Sequence, residues 1–329
     1  MRIYTKEEAK VRISSLANAG KKFLFIINYK QDGSYIEEIN KINPAELMYD
    51  LNGETNCQKT TTPEKRNNTF LWQPHPTPFT TYYHSFNIVK KNILAGNSFL
   101  TNLTCCTPIS TNLSIEDIFY RSKAPYKLWI KDNFVCFSPE IFVRIQQGNI
   151  FAYPMKGTID ANIQNAKQQL MNDPKEIAEH ATITDLIRND LSIVAEEVKV
   201  VRYRYVDTVE TNQGPILQTS TEIFGQLPPD YGSHLGEILF KILPAGSITG
   251  APKTKTMEII SKAEDYERGF YTGIVGYFDG KNLDSAVMIR FIEEKDGKLL
   301  FKSGGGITSQ SKEKSEYQEM IQKVYVPIY

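Results

Sequence analysis

The chain is 329 residues long, enough for one large domain or for one with a smaller appendage, and 38 Lys plus Arg balance 38 Asp plus Glu for a formal net charge of zero. Without a basic field it has nothing to draw in nucleic acid or anionic lipid, so any anion it binds must be held by local groups. Its four cysteines, Cys57, Cys105, Cys106 and Cys136, show neither CxxC spacing nor a metal-type pairing with the four histidines. That argues against a zinc site or a disulfide framework and fits a reducing, cytoplasmic setting. The charged start MRIYTKEEAK lacks an apolar h-region and no apolar run is long enough to span a bilayer, so neither a signal peptide nor a membrane segment is expected.

In chain order, Lys22 to Asn28 is an apolar run that predicts a buried strand, followed by turn residues Gln31 to Ser34. From about Asp50 to Pro78 the sequence is polar and without period, which predicts a loop or linker and sets a reduced N-terminal segment, 1–78, apart from a main domain, 79–329. Tyr82 to Leu94 has helical spacing and stops at Ala95-Gly96, and Ser98 to Cys105 alternates like a strand. Ser114 to Asp117 forms a capping-box pattern that opens a short helix. Closely spaced strands follow at Tyr126 to Ile130, Phe134 to Ser138, Ile141 to Gln146 and Ile150 to Tyr153.

Two groups interrupt this meander. Ser138-Pro139-Glu140 is a proline-locked corner carrying a carboxylate, and Tyr153-Pro154-Met155-Lys156-Gly157-Thr158 presents an amine where a strand gives way to a Gly-Thr turn. A lone turn lysine is usually a solvated surface charge. Helices are predicted over Asn162 to Met171 and Pro174 to Leu191, the second with Asp173 as N-cap and Pro174 at its first position. Strands at Glu197 to Val206 and Ile216 to Leu227 lead to an amphipathic helix, His234 to Ile242.

The loop Gly246 to Lys253 then enters a helix, Lys253 to Ala263. It is not a nucleotide loop, because Ala251 and Pro252 separate its last Gly from Lys253 and proline has no N–H to offer a phosphate. A loop at a helix start can still hold a carboxylate. Strands are predicted at Tyr271 to Phe278 and Ser285 to Ile292, the latter placing Arg290 near its end. Gly304, Gly305 and Gly306 form a turn whose amides a ligand could approach, with a plain flexible turn as the alternative. A closing helix, Lys312 to Val326, sets Glu316 and Glu319 on one face; such pairs are usually solvated, yet they also offer hard oxygens to Mg²⁺.

Taken in order, YPMKGT, AEHATITDLIRNDL, GSITGAPKTKTMEII, GIVGYF, SAVMIR and SGGGITSQSKEKSEYQEM resemble the chorismate-utilising enzyme family, over roughly residues 80–329. That family includes anthranilate synthase, isochorismate and salicylate synthases, and aminodeoxychorismate synthase component I. The resemblance implies an α+β fold of the anthranilate synthase component I type: two large, mostly antiparallel sheets packed together, helices outside and the active site in the cleft between. Lys156 stands where anthranilate- and isochorismate-type members carry a small residue, and Leu100 where the isochorismate type places a water-activating lysine. Both point to the aminodeoxychorismate synthase component I branch.

The resemblance further implies residue roles. Lys156 attacks carbon 2 of chorismate, Glu140 protonates the departing 4-hydroxyl, and ammonia from a separate glutamine amidotransferase subunit then displaces the lysine. Glu179, Glu316 and Glu319 bind Mg²⁺. Thr249, Tyr277, Arg290 and the amides of Gly304, Gly305 and Gly306 hold the substrate. Two departures stand out: Gln218 occupies a position where the family often has His, and the LLES-type motif that holds tryptophan in feedback-regulated members is not found. Anthranilate synthase component I and a non-catalytic chorismate-binding subunit are the alternatives.

Overall fold

The computed structural model describes residues 1–57, 70–211 and 214–328. The chain divides into two compact units that it enters repeatedly: Met1–Ile39, Glu140–Ser247 and Gly273–Val287 form unit 1, and Asn40–Pro139, Ile248–Thr272 and Met288–Tyr329 form unit 2. The expected boundary near residue 78 therefore falls inside unit 2, and residues 1–39 group with later segments of the chain.

Unit 1 carries strands β1 (Phe23–Ile27) and β2 (Ser34–Glu38), then, after the passage through unit 2, β9 (Ile141–Gln146), β10 (Asn149–Ala152), β11 (Met155–Asp160), β12 (Glu196–Thr211), β13 (Gly214–Gln226), β15 (Ile274–Phe278) and β16 (Leu283–Val287). They make one nine-stranded sheet in the order β11-β13-β10-β9-β16-β15-β1-β2, with β12 also on β13. Its helices are α1 (Lys6–Asn18), α4 (Ala166–Asn172), α5 (Pro174–Ser192) and α6 (Leu235–Ile242). Strand β1 is buried at all five positions, which is why its sequence is a continuous apolar run: it sits between β2 and β15 with both faces covered. Helix α5 begins as its sequence requires, with the Asp173 carboxylate accepting from the N–H groups of Lys175 and Glu176.

Unit 2 carries β3 (Leu47–Leu51), β4 (Glu54–Thr55), β5 (Trp72–Pro74), β6 (Leu100–Thr111), β7 (Tyr126–Ile130), β8 (Phe134–Ser138), β14 (Gly250–Ala251), β17 (Phe291–Lys295) and β18 (Lys298–Ile307). These form a second nine-stranded sheet in the order β14-β6-β18-β17-β8-β7-β3-β4, with β5 also on β6. Its helices are α2 (Phe79–Leu94), α3 (Ile115–Arg121), α7 (Lys253–Ala263) and α8 (Glu313–Gln322). One apolar cluster gathers Tyr82, Phe86 and Val89 of α2, Ile259 of α7 and Met320 of α8 against Leu103 and Ile307, and so seats the acidic helix α8 beside β18. Two large antiparallel sheets with helices agree with the α+β expectation.

Three local expectations change. The run Ser285 to Ile292 is two strands, β16 in unit 1 and β17 in unit 2, because Arg290 adopts a left-handed backbone (φ 53°) that no strand can continue through. The three glycines are strand residues of β18, paired with Thr104, Leu103 and Asn102 of β6, so they form no loop. Within 50–78 the chain builds β4 and β5, while residues 58–69 of the expected linker lie outside the described residues. Helix α1, capped by the Thr5 hydroxyl and the Glu8 carboxylate, was not anticipated from the sequence.

Gly250 gives a direct test of how β14 is held on β6. Its φ is +121° and a Cβ there would collide with the Leu100 carbonyl oxygen, so Gly250→Ala is expected to destabilise the protein by about 3 kcal/mol or more. The measurement is the midpoint of urea unfolding; an unshifted midpoint would mean that β14 does not pack on β6 as described.

Candidate active site

In unit 1 the amine-bearing motif is a β-bulge. Strand β11 pairs with β13 with Lys156 opposite Thr219 and Thr158 opposite Gln218, leaving Gly157 as the extra residue between them. Gly157 has φ +77°, and a Cβ there would stand 2.7 Å from Glu176 Oε2, so both the backbone and the space select glycine. The bulge breaks the alternation of the strand beside Lys156. Lys156 is half-buried, and its amine has no hydrogen-bond or ion-pair partner among the described residues.

Two α5 residues attend Lys156, and sequence reasoning assigned neither. The Glu176 carboxyl is pushed up by burial and by the neighbouring Glu179 carboxylate, and the cations of Lys175 and Lys156 oppose this. His180 is fully buried, with Nε2 2.6 Å from Thr221 Oγ1 and Nδ1 3.3 Å from Thr219 Oγ1, while the Thr219 hydroxyl also donates to the Lys156 carbonyl. Burial first, and then the Arg204 cation, lower the His180 pKa to about 4, so the ring is neutral near pH 7. The signal that could have found it is the pair Thr219 and Thr221, two apart on one face of a strand and therefore able to meet one helix side chain.

Glu140 follows β8 at the proline corner. The Ser247 hydroxyl donates to its Oε1, and its backbone carbonyl accepts from the Val287 N–H at 3.0 Å. Glu140, Tyr153, Asp190 and Ser247 supply the polar rim of a cavity of about 30 Å³ whose remaining walls, such as Phe142 and Ile187, are apolar. Tyr277 is buried on β15, opposite Leu24 of β1 and Asp284 of β16. Glu179 projects from α5, its carboxylate 3.6 Å from Lys175 Nζ. Gln218 lies on β13 beside the bulge, opposite Thr158 and Asp207.

In unit 2 the glycines and the acidic helix come together. The carboxylate oxygens of Glu319 and Glu316 lie 3.6 and 3.9 Å from where a Gly305 Cβ would be, with Lys323 Nζ at 3.7 Å. Glu316 is buried, Glu319 is 2.7 Å from Lys323 Nζ, and that amine donates to the Gly304 carbonyl at 3.0 Å. Strand β17 pairs with β18 only as far as Lys302, so among the described residues no further strand of this sheet follows on that side beside Gly304, Gly305 and Gly306. Arg290 has a buried Nε without a hydrogen-bond partner and its guanidinium lies 5.2 Å from the Tyr325 ring centre.

Thr249 is fully buried, its carbonyl accepting from the Asn102 N–H at 2.9 Å. The loop before it is pinned by Arg268, which donates to the Ile248 and Asn102 carbonyls at 2.9 and 2.8 Å and pairs with the buried Glu264. Leu100 is buried on β6 opposite Ala251. Carboxylates are chemically suited to a hard cation such as Mg²⁺. Among the described residues no three His, Cys, Asp or Glu side chains form a ready-made metal cluster, and no helix is long and apolar enough to cross a membrane.

A family model described as chorismate binding enzyme matches residues 14–328. An uncharacterized PabA-like protein of Haemophilus influenzae is 50% identical over 306 residues, covering 93% of this chain and 92% of its own length. Aminodeoxychorismate synthase component 1 of Klebsiella aerogenes is 38% identical over 213 residues, 62% of this chain and 46% of that protein, so the match spans about half of that longer enzyme. The crystal structure of anthranilate synthase component I from Streptococcus pneumoniae TIGR4 superposes with a TM-score of 0.66 at 25% identity, over 78% of this chain and 59% of that one. The fold is accordingly of the anthranilate synthase component I type. Because the matched span takes in both sheets and every candidate residue from Glu140 to Glu319, the chain belongs to the family of chorismate-binding enzymes.

Proposed function

We propose that this protein acts as an aminodeoxychorismate synthase component I, converting chorismate and ammonia to 4-amino-4-deoxychorismate on the way to p-aminobenzoate and folate. The observation that carries the reading is Lys156, displayed at a glycine bulge with no hydrogen-bond or ion-pair partner for its amine among the described residues, where a nucleophile needs freedom to attack. Its nitrogen bonds to carbon 2 and loses a proton, both ring double bonds shift by one position, and the 4-hydroxyl departs as water with a proton from Glu140. Ammonia then bonds to carbon 4, both double bonds shift back, and the lysine nitrogen leaves carbon 2, taking up the proton that the incoming ammonia gives up. The ammonia comes from a glutamine amidotransferase partner.

The anion contacts follow the same reading. Arg290, with an unsatisfied buried Nε, supplies positive charge for a carboxylate, and Thr249 and the strand edge at Gly304, Gly305 and Gly306 frame it. Glu316 and Glu319, converging on Gly305, are the carboxylates that would hold Mg²⁺, with Glu179 as the third member by resemblance. An ion held by these carboxylates would supply positive charge to neutralise and orient the ring carboxylate. Anthranilate synthase component I is the second reading, favoured by the likeness to the Streptococcus pneumoniae structure.

Incubation with chorismate and Mg²⁺ in the absence of ammonia, followed by peptide mass spectrometry, tests the proposal. The Lys156 peptide is expected to gain the mass of chorismate less water. Adding ammonium should release 4-amino-4-deoxychorismate. Anthranilate fluorescence without an adduct would establish the second reading, and turnover of neither kind would leave a non-catalytic chorismate-binding subunit.

A further inference from the structure

The Lys156 amine leaves its strand at the one place where ordinary ladder pairing is interrupted, so something other than the ladder must fix its direction. The peptide planes before Met155 and after Lys156 are held from β13. The Thr221 N–H donates to the Pro154 carbonyl at 3.0 Å, and the Thr219 hydroxyl donates to the Lys156 carbonyl. Behind both threonines stands one ring, His180, and all three side chains are completely buried.

One arrangement satisfies every donor and acceptor in this group. The Thr219 hydroxyl gives its proton to the Lys156 carbonyl, so towards His180 it can only accept, and Nδ1 must carry the ring proton. The buried Thr221 hydroxyl gives its own proton to Nε2 across 2.6 Å, so Nε2 is the acceptor end of the ring. Thr221 Oγ1 in turn accepts from the Arg204 N–H at 3.0 Å. The chain of bonds runs from the β12 backbone through Thr221, His180 and Thr219 to the carbonyl of the lysine itself. Rotation of that peptide plane would swing the Lys156 side chain and break a buried hydrogen bond.

We infer that His180, as its Nδ1–H tautomer, is a positioning residue that aims the Lys156 amine through Thr219. The inference rests on the reading of Lys156 as the nucleophile. An isostere at one end of the ring distinguishes this role from mere packing: asparagine places an N–H near Nδ1, whereas glutamine places its amide near Nε2.

The test compares wild type with His180→Asn, His180→Gln and His180→Leu, measuring the rate of Lys156 adduct formation from chorismate without ammonia and the KM for chorismate. The leucine and glutamine variants are expected to form the adduct about 10²-fold more slowly with KM within about twofold, since a misplacement near 1 Å carries a loss of that order. The asparagine variant should recover most of the rate. Nitrogen-15 NMR of wild type should show Nδ1 protonated and Nε2 bare, and the Lys156 carbonyl carbon-13 shift should move in His180→Leu and return in His180→Asn. If His180→Leu fails to fold, the asparagine and glutamine variants decide between themselves. A ring protonated at Nε2 instead, or an adduct rate in the glutamine variant equal to that in asparagine, would overturn the inference. If wild type forms no adduct, the reading of Lys156 falls on its own, and the tautomer and the carbonyl shift still decide whether His180 holds that peptide.

Discussion

Lys156→Ala is expected to abolish the adduct with chorismate and to lower the rate of 4-amino-4-deoxychorismate formation by about 10³-fold or more, an increase of about 4 kcal/mol in the barrier. The methyl group leaves the β11 ladder intact, because the bulge is built by Gly157 and by backbone pairing with β13 and not by the lysine chain. The KM for chorismate should move by less than about threefold, because the groups assigned to the substrate carboxylates lie elsewhere in the chain. A variant that keeps a tenth of wild-type turnover would show that nitrogen reaches carbon 4 directly and that the amine is only an electrostatic contact.

The second large effect concerns the leaving group. Hydroxide departs poorly, so the proton donor is expected to contribute about 10²- to 10⁴-fold to kcat, and Glu140→Gln should remove that contribution. Glutamine keeps an oxygen that can accept from the Ser247 hydroxyl, and the backbone bond from Val287 to residue 140 does not involve the side chain. The variant should therefore fold normally, with KM nearly unchanged and slow adduct formation. Slow adduct formation is the discriminating result: if the adduct appears at the wild-type rate and only its breakdown by ammonia slows, Glu140 acts on the second half of the reaction. If neither step slows, the proton comes from another group, and Asp190, on the rim of the same cavity, is the next residue to replace.

Much of the local structure was legible in the residues. Strands at Tyr126–Ile130, Phe134–Ser138 and Ile141–Gln146 and the helix at Lys253–Ala263 begin and end where turn residues, caps and apolar spacing place them. Ser114 caps its helix by accepting from the Asp117 N–H, as the capping-box pattern requires. Helix α1 was overlooked because its buried positions, Ala9, Ile13, Leu16 and Ala17, are few and partly small among many charged residues, so its apolar stripe is faint until α6 is seen beside it. The run from Ser285 to Ile292 reads as one strand because apolar character continues through it. The left-handed turn at Arg290 is a backbone property, and arginine does not announce it.

The candidate site divides in the same way. The sequence by itself singled out the side chains to which the proposed chemistry is assigned, namely Lys156, Glu140, Arg290 and the carboxylates Glu179, Glu316 and Glu319, because residue types in an ordered set of motifs are written directly in the chain. Only the tertiary structure decided that the three glycines are strand residues with two carboxylates above the middle one, that the lysine sits on a bulge, and that a buried histidine stands behind it. Each of these depends on pairings between segments tens of residues apart, such as β11 with β13 and β18 with β6. Register across a sheet is set by the burial of whole faces at once, and no single stretch of sequence contains that information.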